Sequence, residues 1–326
     1  MRAMICRRWG DVDSLLLEDV PSPALAAGEV RIGVRACGVN FADILITRGE
    51  YQDRPPFPFS PGMEAAGVVL ETGEGVESFR PGDRVLSFLD HGGYAQEAIA
   101  REPDVTALSD TMSFTEAAAF PVVYGTSHLA LRHRAALQSG ETLLVHGASG
   151  GVGLTAVEIG KALGATVIAS ASSAEKLDVA ASRGADHLIN YATESISDRV
   201  RALTAGVDVV YDPVGGDAFT ESLHVINPGG RMLLIGFASG TVPQIPANHL
   251  LVKDATVIGL SLGQLRRHRP DVVRAAMEEL LRWHLDGKIE PYISDSFDLA
   301  EASKAMALLR DRRSLGKVVL TVAADD

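Results

Sequence analysis

The sequence predicts an α/β chain in two parts, a β-rich first third followed by a doubly wound parallel sheet. Three observations predict it. Short extended runs, separated by Gly and Pro, fill the first third. From about residue 113, apolar strand-like runs alternate with helix-compatible ones, the texture of βαβ units. One of those strands leads directly into a glycine-rich turn and then a helical pattern. A length of 326 residues leaves room for two domains of ordinary size.

In chain order, residues 29–36 (EVRIGVRA), 67–71 (GVVLE) and 83–88 (DRVLSF) are the clearest early strands, the last following the turn signal Pro81-Gly82. They predict an all-β domain, barrel-like or sandwich-like. Ser113 and Glu116 then match a capping box, in which the two side chains satisfy free amides at a helix start. The helical segment that follows contains Pro121, expected to kink it. Strands are expected at 142–146, 166–170, 207–211, 231–235 and 256–260, with helices between them, for example 153–163 and 174–183. An amphipathic helix at about 270–285, a helix at 300–309 and a strand at 317–322 close the chain.

Hydrophobic residues at 46% against 22% charged describe a soluble globular protein. A net charge of −12 disfavours nucleic acid, whose sequence-independent binding needs surplus Lys and Arg, and disfavours an anionic membrane surface. No stretch approaches the roughly 20 apolar residues of a membrane span. The first residues lack the apolar core of a secretory signal, so a cytoplasmic location is expected. Cys6 and Cys37 are the only cysteines, and no Cys-x-x-Cys or clustered Cys/His pattern occurs. A structural zinc lobe is not expected, and two buried thiols in a reducing compartment are.

The strongest local motif is 141–153 (ETLLVHGASGGVG), a strand running into Ser149, Gly150, Gly151 and Val152 and then a helix. Glycines let the backbone turn tightly and approach a pyrophosphate, and the helix N-terminus offers unpaired amides and a favourable dipole. A glycine-rich turn alone is weak evidence; its place between strand and helix, inside repeated βαβ texture, is what identifies a dinucleotide site. An enzyme preferring NAD places an acid at the tip of the next strand, for the ribose 2′-hydroxyl. Here 169–176 (ASASSAEK) has no acid at that tip, and Glu175 lies beyond it. Lys176, with Ser172 or Ser173 as hydroxyl donors, suits a 2′-phosphate, so NADPH is the expected cofactor.

Further segments accumulate in a fixed order. They are 38–43 (GVNFAD), Arg48-Gly49, Tyr51, 61–64 (PGME), 66–69 (AGVV), 81–85 (PGDRV) and 92–95 (GGYA), then 148–153, Lys176, Asn190-Tyr191, 212–216 (DPVGG) and 316–319 (GKVV). Over essentially the whole chain they resemble the medium-chain dehydrogenase/reductase superfamily, in its zinc-independent quinone oxidoreductase (zeta-crystallin-like) branch. The resemblance implies a GroES-like catalytic domain at 1–122, a Rossmann NADPH-binding domain at 123–263 and a return to the catalytic domain over 264–326. It implies an active site in the cleft between them and a homodimer whose Rossmann sheets join edge to edge around 256–262.

Zinc-dependent relatives carry a Cys at the position of Asn40 and a His at the position of Met63, and an amide and a thioether do not make a zinc site. Without a Lewis acid, oxidising a simple alcohol is hard; reducing a small quinone or enone with the hydride of NADPH remains feasible. Carried over residue by residue, the resemblance places Asn40 and Tyr51 against nicotinamide and substrate. The Tyr51 phenol, with a pKa near ~10, stays protonated and can donate to a carbonyl gaining charge. Thr126 would contact the nicotinamide, Lys176 and Tyr191 the 2′-phosphate, and Val214, Gly236, Phe237 and Lys317 the cofactor groove. Asp43 is expected to be structural.

The chain departs from the pattern at Leu45, where some relatives have a second tyrosine, and at Glu158, where the family usually has Gln and where only a surface effect is expected. The scattered histidines, His91, His128 and His146 among them, read as structural. Two other functions compete with quinone reduction. One is an enoyl-thioester or 2-alkenal C=C reductase, for which 266–269 (RRHR) would be a carrier-phosphate patch, although that run reads more simply as a solvated charged stretch. The other is an NADPH-binding structural or RNA-binding protein with little turnover, against which the acidic balance speaks.

Overall fold

The computed structural model describes residues 1–322. Two bodies are distinguished. One comprises Met1–Val122, Leu265–Met277 and the described residues from Pro291 onward; the other comprises Val123–Gln264 and Glu278–Glu290.

The first body begins with strands β1 (Arg2–Ile5) and β2 (Leu16–Asp19), an antiparallel pair. The long β3 (Glu29–Val39) follows, then helix α1 (Phe41–Arg48), and then β4 (Glu64–Thr72), β5 (Arg84–Phe88), β6 (Glu97–Arg101) and β7 (Val105–Ala107). Val30, Ile32 and Val34 recur at every second position of β3 and are buried, the half-buried period expected of a strand. Helix α2 (Phe114–Ala118) starts at Ser113 with the expected capping box: Glu116 N–H donates to Ser113 Oγ at 3.1 Å, and Glu116 Oε2 accepts from Ser113 N–H at 2.8 Å.

Pro121 does not kink a continuing helix. The chain breaks after α2, and Pro121 is the first residue of a new helix, α3 (Pro121–His128). A proline fits there because the first-turn amide has no helical partner to lose. Helix α3 then widens into a π-helical turn over Leu129–Arg134.

The second body alternates strand and helix: β8 (Thr142–Val145), α4 (Gly151–Ala162), β9 (Thr166–Ala171), α5 (Ala174–Ser182), β10 (His187–Asn190), α6 (Ile196–Leu203), β11 (Val207–Asp212), α7 (Asp217–Val225), β12 (Ile226–Leu234), α8 (Ala247–Lys253) and β13 (Thr256–Gly259). All six strands pair in parallel, in the order β10-β9-β8-β11-β12-β13. Leu144, Ile168, Ile189, Val210, Phe219 and Met232 are buried in one cluster of its core. That clustering explains why the strands read as unbroken apolar runs rather than alternating ones. The order reverses direction beside β8, and ligands of such sheets bind outside the strand ends at that reversal.

Helix α9 (Leu262–His268) and helix α10 (Pro270–Leu285) lead out of the sheet. The expected return over 264–326 is interrupted, because 278–290 groups with the second body. The cause is a pair of contacts on α10: Glu279 bonds His128 at 3.0 Å, and the Trp283 ring lies edge-on to the His128 ring at 5.5 Å. Strand β14 (Ile293–Asp298), helix α11 (Ala302–Arg310) and strand β15 (Lys317–Thr321) belong to the first body. There β15 pairs antiparallel with β3 and extends a seven-stranded sheet ordered β14-β15-β3-β4-β5-β7, with β6 also on β3. Met306 and Leu320 from these late elements bury beside Val30, Ile44 and Phe59 from the early ones. Among the described residues, no helix is long and apolar enough to cross a membrane.

Candidate functional site

Strand β8 leads into the glycine-rich turn at the reversal of the second body's sheet. Ala148 N–H donates to Ser170 O at 3.1 Å, which ties the turn to β9. Gly150 is the residue before the first turn of α4, and Gly151 and Val152 lie in that turn, so their amides open at the sheet's carboxyl end. Gly153 explains the tightness: a Cβ there would sit 2.1 Å from Gly147 O, so only glycine permits the approach. Ser149 is buried beside it. Ser127 donates to Val152 O at 2.9 Å and shares hydrogen bonds of 2.8 Å with Thr155 and Tyr211, which pins α3 to the first turn of α4. Thr126, the preceding residue on α3, is buried. The sequence reading missed Ser127; its only signal was a small polar residue within an apolar helix.

At the tip of β9, Lys176 Nζ donates to Ser172 Oγ at 3.3 Å, and Ser173 caps α5. Tyr191 N–H donates to Ala171 O at 3.1 Å, which brings the half-exposed Tyr191 to the same strand end. The four residues expected at a 2′-phosphate are therefore gathered at one place, while Glu175 is exposed on the first turn of α5. Beyond β11, Asp212 Oδ1 accepts from Val214 N–H and Gly215 N–H, each at 2.8 Å. Ala238 N–H reaches Pro213 O at 3.0 Å and Ser239 N–H reaches Val214 O at 2.9 Å. These bonds join the loop of Val214 to the loop of Gly236 and Phe237. A methyl group on Gly147 would meet Val214 Cγ2 at 3.3 Å, so this pair of loops borders the glycine-rich turn. A turn that only glycine at position 153 permits, backed by a helix N-terminus, has the groups to hold a dinucleotide, and Lys176 with two serines lies at the tip of the next strand.

The first body holds the other expected groups. Asn40 follows β3 as the N-cap of α1, and its N–H donates to Asp43 Oδ2 at 2.9 Å. Asp43 also accepts from Gly62 N–H at 3.1 Å and Tyr94 O–H at 3.0 Å. Burial pushes its carboxyl up to about 6 against those hydrogen bonds. It serves as an internal brace between α1 and the 60–94 region, as expected. Tyr51 packs against the core of this body, and burial raises its phenol, so it stays a protonated donor across the physiological range.

Lys317, expected to line the cofactor groove, has its ammonium engaged inside the first body. That ammonium is buried, donating to Asn40 Oδ1 and Glu64 Oε1, each at 2.6 Å, and to Val39 O at 3.0 Å. The cause is register: Val318 pairs with Val39, which sets Lys317 beside Asn40. Three protons meet three acceptors, so none is left for a phosphate.

Glu158 is likewise no surface residue. It is buried, accepts from Tyr124 O–H at 2.5 Å, and lies 3.4 Å from Arg183. Loss of solvent drives its carboxyl up to about 7, opposed by Tyr124 and Arg183. In the 266–269 run, Arg266 is also buried, bonded to Asp104 at 2.9 Å and to Leu89 O at 3.1 Å. Arg267 pairs with Asp53 and Arg269 with Asp271, each at 3.1 Å. The run is internally matched with acids. His146 is buried between Ser170 and Ser222, and His128 is held by Glu279, consistent with structural roles.

Comparison with known proteins places both halves. Residues 26–121 match the model of the alcohol dehydrogenase GroES-like domain, and residues 151–282 match that of the zinc-binding dehydrogenases. The chain is 41% identical over 311 residues to quinone oxidoreductase-like protein 2 of Bos taurus, spanning 94% of this chain and 89% of that one. It superposes on the Escherichia coli quinone oxidoreductase complexed with NADPH with a TM-score of 0.93 at 30% identity, covering 98% of this chain and 100% of that one. The quinone oxidoreductase of Thermus thermophilus, solved alone and with NADPH, gives a TM-score of 0.86 at 36% identity, with the same coverage.

Proposed function

The chain belongs to the medium-chain dehydrogenase/reductase superfamily, in its zinc-independent quinone oxidoreductase-like branch, and on that premise we propose that it is an NADPH-dependent reductase of small electron-poor carbonyl acceptors, quinones foremost. The observation that carries the reading is the acid-free tip of β9, where Ser172, Ser173, Lys176 and Tyr191 converge. When bound, NADPH supplies the hydride. The residues of the second body bind and orient it: the amides of the turn hold the diphosphate, and Lys176 with the serines holds the 2′-phosphate. The residues of the first body serve the acceptor, with Tyr51 O–H and the Asn40 amide offering hydrogen bonds to an oxygen gaining charge.

The alternative of an enoyl-thioester reductase loses its one specific support, since each arginine of 266–269 already faces an acid. We further propose a homodimer through β13, which among the described residues pairs only with β12 and lies at the sheet's edge. A cytoplasmic setting suits Cys6 and Cys37, both buried and free.

The test follows NADPH oxidation with small quinones, a bulky polycyclic quinone, short 2-alkenals and an enoyl thioester, with NADH and a chelator control alongside. Chelator-insensitive turnover of quinones, lost with NADH, is the expected result. Turnover confined to alkenals or thioesters, or none at all despite NADPH binding, overturns the reading. Replacing Lys176 with Ala should raise the KM for NADPH about tenfold, corresponding to about 1.4 kcal/mol, with little change for NADH. An equal change for both cofactors would remove Lys176 from the 2′-phosphate.

A further inference from the structure

Three residues far apart in sequence meet at the ends of adjoining strands of the first body: Asn40 after β3, Glu64 at the start of β4 and Lys317 at the start of β15. An ammonium only donates, so the Asn40 atom 2.6 Å from Lys317 Nζ is the amide oxygen. A carboxylate only accepts, so the Asn40 atom 2.7 Å from Glu64 Oε1 is the amide nitrogen. Lys317 and Glu64 also bond each other at 2.6 Å, and Glu64 Oε2 takes the Val122 N–H at 2.8 Å. The amide of Asn40 is thus gripped at both ends by an ion pair that is itself internally satisfied. Turning the amide over about the Cβ–Cγ bond would set N–H against ammonium and oxygen against carboxylate. Gly38 makes the room, since a Cβ there would fall 2.2 Å from Glu64 Oε1.

What remains open on Asn40 is one N–H, whose internal partner is Gly38 O at a weak 3.5 Å. An ammonium on the carbonyl end of an amide polarises it and strengthens the donor at the other end. We infer that Lys317 and Glu64 are positioning residues, a buried clamp that fixes one orientation of the Asn40 amide and directs its second N–H to the acceptor's oxygen. The inference rests on the proposed role of Asn40 toward an acceptor.

Lys317→Met alone would strand a buried carboxylate, so the test variant is the charge-free pair E64Q/K317M, compared in wild-type and Asn40→Ala backgrounds. The expected result is NADPH affinity within twofold of wild type and an acceptor kcat reduced ten- to fiftyfold. In the Asn40→Ala background the same pair should cost less than a further twofold. Equal losses with and without Asn40 overturn the clamp, and a tenfold loss of NADPH affinity returns Lys317 to the cofactor groove. Side-chain amide resonances of ¹⁵N-asparagine-labelled protein give a readout independent of turnover. Asn40, identified by its absence from the Asn40→Ala spectrum, should show two distinct, slowly exchanging protons that shift and exchange faster in E64Q/K317M. Unchanged signals refute the clamp even if no acceptor is ever turned over, a result that would instead tell against the proposed reaction.

Discussion

Gly153→Ala is expected to destabilise the second body by about 3 kcal/mol and to abolish measurable NADPH binding. The added methyl would sit 2.1 Å from Gly147 O, 2.8 Å from Gly147 C and 2.9 Å from Ala148 Cα. All three are backbone atoms of the glycine-rich turn, so relief requires the turn and α4 to separate, which spreads the amides proposed to hold the diphosphate. A loss of that size lowers Tm by roughly 6–12 °C in a domain of this length. Gly150→Ala is the matched control, because its Cβ would meet only Gly147 O, at 3.4 Å. It should melt near wild type, so any fall in its affinity reports crowding at the ligand alone. Thermal melts with and without NADPH, and titration by NADPH fluorescence, measure both effects. A wild-type Tm and affinity for Gly153→Ala would show that the turn tolerates what its geometry forbids.

The second large effect concerns pH. Burial raises the Glu158 carboxyl from the ordinary glutamate range to about 7 in the folded protein. Between those values the folded chain holds a proton that the unfolded chain has released. Stability therefore falls as pH rises through this window, and above it the full penalty, about 3 kcal/mol, is in place. Glu158→Gln keeps an oxygen for Tyr124 and for Arg183 but removes the ionisation. The variant is expected to be about 2–3 kcal/mol more stable than wild type at pH 8 and to match it near pH 4.5. Asp43, also raised, titrates in the same window with the same sign. His128 and His146, both lowered by burial, act in the opposite sense, adding stability as pH rises through the ordinary histidine range. For that reason the quantity to measure is the difference between wild type and Glu158→Gln in denaturant unfolding across pH. A difference independent of pH would refute the assignment.

These residues show where sequence stops being legible. The glycine-rich turn, the capping box at Ser113 and the acid-free tip of β9 were readable because each is local: the chemistry and its neighbours lie within about a dozen positions. Helix α4 was readable too, but not which face Glu158 occupies, since Tyr124 comes from a helix 34 residues earlier. The Asn40 clamp was invisible for the same reason on a larger scale, its lysine lying 277 residues from its asparagine. Arg266 looked solvated because its neighbours are basic, and its partner Asp104 lies 162 residues before it. The split of α10 depended on His128 in an earlier helix, a contact that the amphipathic pattern of α10 alone does not encode.

The pairing of β15 with β3 has a consequence for synthesis on the ribosome. Strand β3 is made early, yet along one edge the partner for its 36–39 segment is β15, the last of the described strands. The six strands of the second body are all made in between, so its sheet can close while β3 still waits with part of one edge uncovered. Exposed strand edges are templates for pairing with other chains. The nascent first body thus carries an open edge through most of its translation, and a chaperone that shields extended segments would act on residues 36–39 until residues 318–321 emerge.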